Sequence, residues 1–373
     1  MKLRRCLMIK FIHTGDLHLG LQFKDVKFNR EKARERRLEL WRTFERIINR
    51  VIEEKVDFLF IAGDLFEEKY FTLGDMGRVR DILAKIKDTE IIIVAGNHDT
   101  LNKNSLYSMV NWPENINIFG TDALEKKEFI DKDVEIYGYS WDKGENRRDI
   151  FENFSGIDKN KTNILIIHGD VFNKEGPYLP LDKNYIENIG FDYVGLGHIH
   201  KYNIFSNKMA YCGSPEPLDF GEIGEHGIIE GCIKDNETQI NFLPFSNRMF
   251  LDKSIDIHET MGYIEIMNAI LKVDKQDMLK RNLYRVRLNG ILNRDIDLNL
   301  EDIIKSLEDK FYYLELIDNT IIDYDLDVLE MENENNIIGH FIKEMKNRGL
   351  DNHLVRQALY IGLEALMEGK VGI

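Results

Sequence analysis

Cysteine is nearly missing from this chain. Cys6, Cys212 and Cys232 are the only three in 373 residues. They are too few and too scattered for a disulfide framework or a thiolate zinc site, and such usage fits a reducing compartment such as the cytoplasm. Long apolar runs are missing as well. No stretch approaches the ~20 residues that a helical membrane span needs, which excludes a membrane-embedded reading. The opening M-K-L-R-R-C-L-M-I-K-F is basic, but its apolar part is too short for a signal peptide and runs straight into Asp16. Met8 is an alternative start. Positive charge is also in deficit, with 50 Lys and Arg against 65 Asp and Glu and a net charge of −15. Such a chain is a poor nonspecific binder of phosphate backbones, so any contact with nucleic acid must come from a local basic patch. Abundant isoleucine and lysine with 31% charged residues suit a heat-adapted source. The length allows two or three domains.

What is present is a series of short apolar strands that end in polar, metal-capable side chains. The most telling is Ile91–Asp99, I-I-I-V-A-G-N-H-D. Its continuous apolar run predicts a buried parallel strand, followed at once by Asn97, His98 and Asp99. In open α/β sheets ligands bind beyond the carboxyl ends of strands. Ile9–Ile12 leads likewise into Asp16 and His18, Asp57–Ala62 into Asp64, Asn163–Ile167 into His168, and Asp192–Leu196 into His198 and His200. Helices with apolar Trp41, Phe44, Ile48 and Val51, and with Met76, Val79, Leu83 and Ile86, separate the first three strands. This β-α-β-α-β order predicts a parallel layered sheet, with all the polar ends gathered at one edge of it. Ile228–Ile233 and Gln239–Phe245 read as closing antiparallel strands.

Each polar end alone would pass for a turn with a helix cap, and a lone histidine after a strand is more often a satisfied structural residue than a ligand. Five such ends in one series are not explained that way. The donor set is imidazole, carboxylate and amide without thiolate. It suits Mn, Fe or Zn, and its nitrogens argue against Mg or Ca alone. Seven candidate ligands exceed one tetrahedral ion, so two ions sharing a carboxylate fit better. Two-metal sites, with ions ~3.5–4 Å apart, clamp the attacking and leaving oxygens of an in-line displacement and generate hydroxide at neutral pH. The natural substrate is a phosphate ester.

From about Leu251 the texture changes. Leu251–His258, Gly262–Val273, Asn282–Leu292, Asn299–Phe311 and Tyr312–Thr320 read as a small β-α-β-α-β domain with no metal-type ends. Residues 323–336 are acidic with no strong core pattern and read as a linker. Two helices follow, the second apolar at Leu354, Leu359, Ile361, Leu363 and Leu366. The predicted division is thus 1–248, 249–322, 323–336 and 337–373. Between Lys24 and Arg37 the chain is locally basic, with Lys24, Lys27, Arg30, Lys32, Arg34, Arg36 and Arg37 against three acidic residues. A solvated helix face is the plain reading of these charges. Their place just after the first site fragment favours a functional basic patch.

The fragments D-L-H, G-D, G-N-H-D, H-G-D and G-H-I-H resemble the signature of calcineurin-like metallophosphoesterases. Together with D-L-H-L-G, G-D-L-F, Y-C-G-S-P-E at 211–216, the second domain and the helical tail, the whole chain resembles the Mre-eleven/SbcD family of DNA double-strand-break repair nucleases. The resemblance implies an α/β fold: a layered metallophosphoesterase β-sandwich flanked by helices, plus a small capping domain and a C-terminal helical pair. It implies two Mn ions, with Fe or Zn as alternatives. Asp16, His18 and His200 would hold the first ion, Asn97, His168 and His198 the second, and Asp64 would bridge. His98 would act on the scissile phosphate rather than as a ligand. The implied activity is Mn-dependent 3′–5′ cutting of duplex DNA and nicking of single strands, which would make the basic patch between Lys24 and Arg37 a DNA-backbone contact. The implied setting is a nucleoid-associated archaeal or bacterial-like protein. The implied assembly is a homodimer whose C-terminal helices clasp a Rad-fifty/SbcC-type ABC ATPase; its dimer surface stays open, with helices near Gly74–Lys87 and Ser105–Val110 as candidates. Many members carry a second active-site histidine after G-D-L-F, where this chain has Glu67. Two other readings compete. A protein phosphatase or small phosphodiesterase could share the fold, but protein phosphatases usually follow the bridging aspartate with an Asp-Arg pair, and here Leu65, Phe66, Glu67 and Glu68 follow. A non-catalytic scaffold would ordinarily have lost ligands, and this chain keeps all seven.

Overall fold

The computed structural model describes residues 8–24, 27–293 and 295–368, and the chain falls into two compact units, residues 1–249 and 250–373. The first unit is built on two six-stranded sheets. One sheet contains β1 (Ile9–Thr14), β2 (Phe58–Ala62), β3 (Glu90–Val94) and β4 (Ile116–Ile118), all parallel. It is extended past β1 by antiparallel strands Gly227–Lys234 and Glu237–Pro244. In the other sheet β6 (Val134–Tyr139), β7 (Thr162–His168) and β8 (Tyr193–Gly197) are parallel. The short strand Met209–Tyr211 runs parallel beside β8, and β5 (Glu125–Phe129) and Asn203–Ser206 lie antiparallel at the edges.

The uninterrupted apolar runs follow from burial of both strand faces. Along β2, Phe58, Phe60 and Ala62 meet Val134, Ile136, Ile164 and Ile166 of the second sheet, forming the layer between the sheets. The alternate residues Leu59 and Ile61 face the other way, onto helices. Those helices are α1 (Arg30–Glu54) and α2 (Leu73–Leu83). Leu40, Phe44, Ile47, Ile48 and Val51 recur along α1 at helical spacing and are all buried, each removing ~1.5–3 kcal/mol worth of apolar surface from water. Asn29 caps α1 by accepting the Lys32 N–H, and Thr72 with Asp75 forms a capping box on α2. The outer face of the second sheet carries a third apolar cluster, with Tyr139, Leu165, Ile167 and Leu196 beneath Ile186 of α3 (Lys183–Ile189). The first unit is therefore helix, sheet, sheet, helix. The polar strand ends come from two facing sheets and not from one. Sequence order gave β6, β7 and β8 no marker of which strand each pairs with.

The second unit is a parallel three-stranded sheet of Phe250–Ile257, Leu283–Asn293 and Tyr313–Asp323. Its helices Tyr263–Leu271, Gln276–Arg281 and Leu300–Ser306 bury Ile266, Ile270, Leu279 and Ile303 against that sheet. Residues 323–336, expected to be a linker, instead contain a helix at Leu326–Glu332. Leu326 and Leu329 pack on Ile342 and Met345, and Asp327 and Glu330 pair with Lys346 at 2.6 and 2.7 Å. Two leucines among acidic neighbours were too sparse a pattern to mark it. The last helices are Ile337–Asn347 and His353–Glu368. Among the expected partner-binding residues, Leu359 and Leu363 are buried in the same cluster and are not offered to a partner. Leu354, Ile361 and Leu366 are exposed.

Candidate metal centre

Three of the five polar strand ends, those after β1, β2 and β8, turn through residues in left-handed conformation. Asp16, His18, Asp64 and His198 all have positive φ, at 49°, 45°, 50° and 101°. This is uncommon outside glycine and costs of order 1–3 kcal/mol per residue. The neighbours hold these conformations in place. The Asp16 and His18 N–H groups donate to the carbonyls of Gly63 and Asp64 at 3.0 Å each, so the turns after β1 and β2 run side by side. Glycines give the room. A side chain at Gly63 would collide with the His168 ring, and one at Gly96 with the Asp64 carboxylate.

Asp16, His18, Asp64 and His168 form a buried floor. Asn97, His198 and His200 are half-buried above it, and His98 is exposed at the rim. Asp16, His18, Asp64 and His200 each present one ligand atom, all within 4.8 Å of one another. His18 Nε2 is 3.1 Å from His200 Nε2. A second set lies alongside. Asn97 Oδ1 is 3.0 Å from His168 Nε2 and 3.3 Å from His198 Nδ1. Asp64 stands between the two sets, with Oδ2 3.7 Å from His18 Nε2 and 3.4 Å from His168 Nε2. Its other oxygen accepts the His98 N–H at 2.9 Å. Ile199, between His198 and His200, packs into the outer apolar cluster of the second sheet. The structure thus brings all seven expected ligand residues into one depression.

The electrostatics suit cations. Burial works against charging His168, yet Asp64, Asp16 and the Ala62 carbonyl carry it up to about 9. Burial opposes His200 too, and Glu222 with Asp16 and Asp64 raises it to about 9. Burial also works against ionising Asp64, but His168, His18 and His98 hold its carboxyl well below the usual carboxylate range. A field that keeps protons on one buried and one half-buried imidazole is one that divalent cations would exploit. The donors, two overlapping nitrogen and oxygen sets around one carboxylate, fit a pair of such ions. His198 differs: burial and the neighbouring His168 push it down to about 3, so its imidazole is neutral and its lone pair free.

Several residues around this centre escaped sequence reasoning. Asp99, grouped at first with the metal-capable side chains, faces away from the ligands. It accepts the N–H groups of Gly96 at 2.6 Å and Leu65 at 2.7 Å, and the Tyr107 hydroxyl at 2.7 Å, tying the β2 turn to the β3 turn. Burial and the nearby Asp64 raise its carboxyl to about 6. His168 is fixed through Nδ1 to the Ala62 carbonyl at 2.9 Å, and its own carbonyl accepts the Trp141 indole N–H at 2.7 Å. Glu222 accepts from His200 Nδ1 at 2.5 Å. Glu67 accepts from His18 Nδ1 at 2.7 Å and from His98 Nδ1 at 3.1 Å. Backing carboxylates of this kind orient a ligating imidazole and raise its basicity. Glu67 was visible as an oddity after G-D-L-F; nothing local pointed to Glu222.

The basic segment is divided by its helix. Lys24, Lys27, Arg30 and Arg34 are exposed and Arg37 half-buried, and Arg30, Arg34 and Arg37 share one face of α1 by their spacing. Arg36 does not belong to this surface. It is fully buried, pairing with Glu39 and, at 3.4 Å, with Glu216.

Comparison with known proteins agrees with this geometry. Residues 9–202 match the family model for calcineurin-like phosphoesterase. Over 277 residues the chain is 27% identical to the uncharacterized metallophosphoesterase YhaO of Bacillus subtilis, covering 70% of this chain and 66% of that protein. It is 26% identical over 287 residues to the DNA double-strand break repair protein Mre11 of Methanosarcina acetivorans, covering 70% and 43%. It is 29% identical over 223 residues to the protein of that name from Methanocaldococcus jannaschii, covering 55% and 56%. The chain therefore spans two thirds or less of the length of these relatives. No helix among the described residues is long and apolar enough to cross a membrane.

Proposed function

The chain belongs to the calcineurin-like phosphoesterase family, and from that premise we propose that it is a Mn-dependent DNA nuclease that processes double-strand ends, with 3′–5′ exonuclease and single-strand endonuclease activity. One observation carries the reading most: two ligand sets share Asp64 beneath an exposed imidazole, His98. Asp16, His18 and His200 would hold one ion and Asn97, His168 and His198 the other, with Asp64 between them. Bound there, two cations neutralise phosphoryl oxygens and supply hydroxide at neutral pH. The chain's own residues do the rest. The buried carboxylates hold the ligands in register. His98, with Glu67 on its Nδ1, stands exposed at the rim, where a scissile phosphate would reach it. Hydrogen bonding to Glu67 works there against burial and raises the His98 pKa, which suits an imidazole that meets developing negative charge.

Support for DNA as the substrate is the similarity to the Mre11 proteins, together with the basic face of Lys24, Lys27, Arg30, Arg34 and Arg37. By the same likeness, the second unit would cap the DNA. The exposed Leu354, Ile361 and Leu366 would dock a Rad-fifty/SbcC-type ABC ATPase, and the working assembly would be a homodimer. A second reading, a phosphodiesterase of YhaO type acting on another ester, draws on the comparable similarity to that protein. A protein phosphatase is disfavoured locally, because the turn after Asp64 presents the buried Leu65 and Phe66 where an arginine would be needed to grip phosphate.

The test is hydrolysis by the full chain, with Mn against Mg, of blunt duplex, hairpin and single-stranded DNA. Bis-p-nitrophenyl phosphate and a phosphopeptide serve as comparators. Mn-dependent shortening of duplex from its 3′ ends is the expected result. Cleavage of the chromogenic diester without any cutting of DNA would favour the second reading. No hydrolysis and no bound metal would leave a scaffold.

A further inference from the structure

Glu67 occupies an unusual position. It is nearly buried, and its two carboxylate oxygens go to two different imidazoles. Oε1 accepts from Nδ1 of His18 and Oε2 from Nδ1 of His98, at 2.7 and 3.1 Å. The two rings are themselves neighbours, with centroids 4.8 Å apart and planes at 82°. The backbone keeps the carboxylate from drifting. The Glu67 N–H donates to the Leu19 carbonyl at 3.0 Å, its carbonyl accepts from Tyr70 and Phe71, and the next residue, Glu68, donates to the His98 carbonyl at 3.0 Å. The turn after β2 is thereby laced to the turn after β1 on one side of this side chain and to the turn after β3 on the other.

We propose that Glu67 is a positioning residue that sets the same tautomer on both rings and so couples cation binding to the alignment of His98. With both Nδ1 atoms donating to one carboxylate, the Nε2 atom of His18 faces the ligand pocket, 3.1 Å from His200 Nε2. The His98 side chain is 43% exposed. An ionised carboxylate can accept two N–H groups at once through separate oxygens, whereas an amide, with one acceptor oxygen and one NH2 donor, cannot hold both rings in the same tautomer in this way. His18 and His98 therefore cannot be set independently. A cation that fixes His18 also fixes Glu67, and through it His98. Only the rate arm of the test rests on the phosphodiesterase reading.

Glu67→Gln, Glu67→Asp, His98→Ala and the double variant Glu67→Gln/His98→Ala are compared in the full chain. Mn binding is followed by calorimetry, imidazole tautomers by histidine-selective 15N NMR, and turnover on bis-p-nitrophenyl phosphate at saturating Mn. Glu67→Gln is expected to weaken Mn binding about 10–100-fold, to lower kcat by a similar factor with KM nearly unchanged, and to shift two histidine signals. Glu67→Asp, which keeps both oxygens, recovers part of each loss. In the double variant kcat falls no lower than in His98→Ala, because the rate effect passes through that ring, while the weaker Mn binding persists. Wild-type Mn affinity and unchanged tautomers in Glu67→Gln would overturn the assignment, as would rate losses that multiply with those of His98→Ala. A wild-type chain that hydrolyses no phosphodiester would defeat the enzymatic reading, and the Mn titration and NMR would still decide the role of Glu67.

Discussion

Asp64→Asn is the most informative single change at the metal centre. The amide keeps the size of the side chain and an oxygen for the His98 N–H, which Asp64 accepts at 2.9 Å. What it removes is the buried negative charge whose Oδ2 lies 3.4 Å from His168 and 3.7 Å from His18. At an effective dielectric of about 20, a unit charge at the nearer distance interacts with a positive partner by about 5 kcal/mol. Each 1.4 kcal/mol is a factor of ten in an equilibrium constant, so cation affinity should fall by about a thousandfold or more. Both positions should be affected, since the carboxylate faces both ligand sets. The assay is metal content after gel filtration together with calorimetric Mn titration of the full chain, with circular dichroism to show that the fold persists. A folded Asp64→Asn chain that retains two ions at wild-type affinity would refute the shared-carboxylate arrangement.

His98→Ala should behave oppositely, keeping both ions while turnover falls about 100–1000-fold, the loss typical of one transition-state donor; an emptied metal position would show that His98 is a ligand instead. The paired charge reversal Arg34→Glu and Arg37→Glu should weaken duplex binding and flatten its salt dependence, measured by fluorescence anisotropy across a salt series, and an unchanged slope would remove this face from the DNA contact. Arg36→Met should destabilise the first unit by about 3–5 kcal/mol, because it leaves Glu216 buried without its cation, while Glu39 keeps Arg248 at 2.8 Å. At ~2–4 °C per kcal/mol the thermal midpoint should drop by roughly 10 °C. A midpoint within about 1 °C of wild type would mean that Thr43 and Asn247, which also bond Glu216 at 2.6 and 2.7 Å, satisfy it alone.

The strand ends were legible in the sequence because two independent patterns coincide there. Runs such as Ile91–Val94 are apolar on both faces, which marks a covered strand, and the polar cluster begins where the run stops. What lay hidden depends on contacts between distant segments. Asp16 and His18 reach one pocket through left-handed turns, not through the alternation of an extended strand. The division of the ligands between two sheets depends on pairing partners that no strand advertises. Arg36 looked like one more surface charge, since nothing nearby in sequence reveals Glu216, 180 residues away. Asp99 and Glu222 carry the same side-chain chemistry as ligands, and only their hydrogen-bond partners tell them apart.

Asp16, His18, Asp64 and Asn97 hang from the first sheet, and His168, His198 and His200 from the second. In the proposed assignment each ion would draw on both. Cations would then rivet two leaves that otherwise adhere through apolar contact and a few hydrogen bonds, such as His168 Nδ1 to the Ala62 carbonyl. Resistance to unfolding would become a readout of metal supply: occupancy at a hundredfold excess over the dissociation constant adds about 2.7 kcal/mol by mass action. A chain starved of manganese would be not only idle but easier to pry apart.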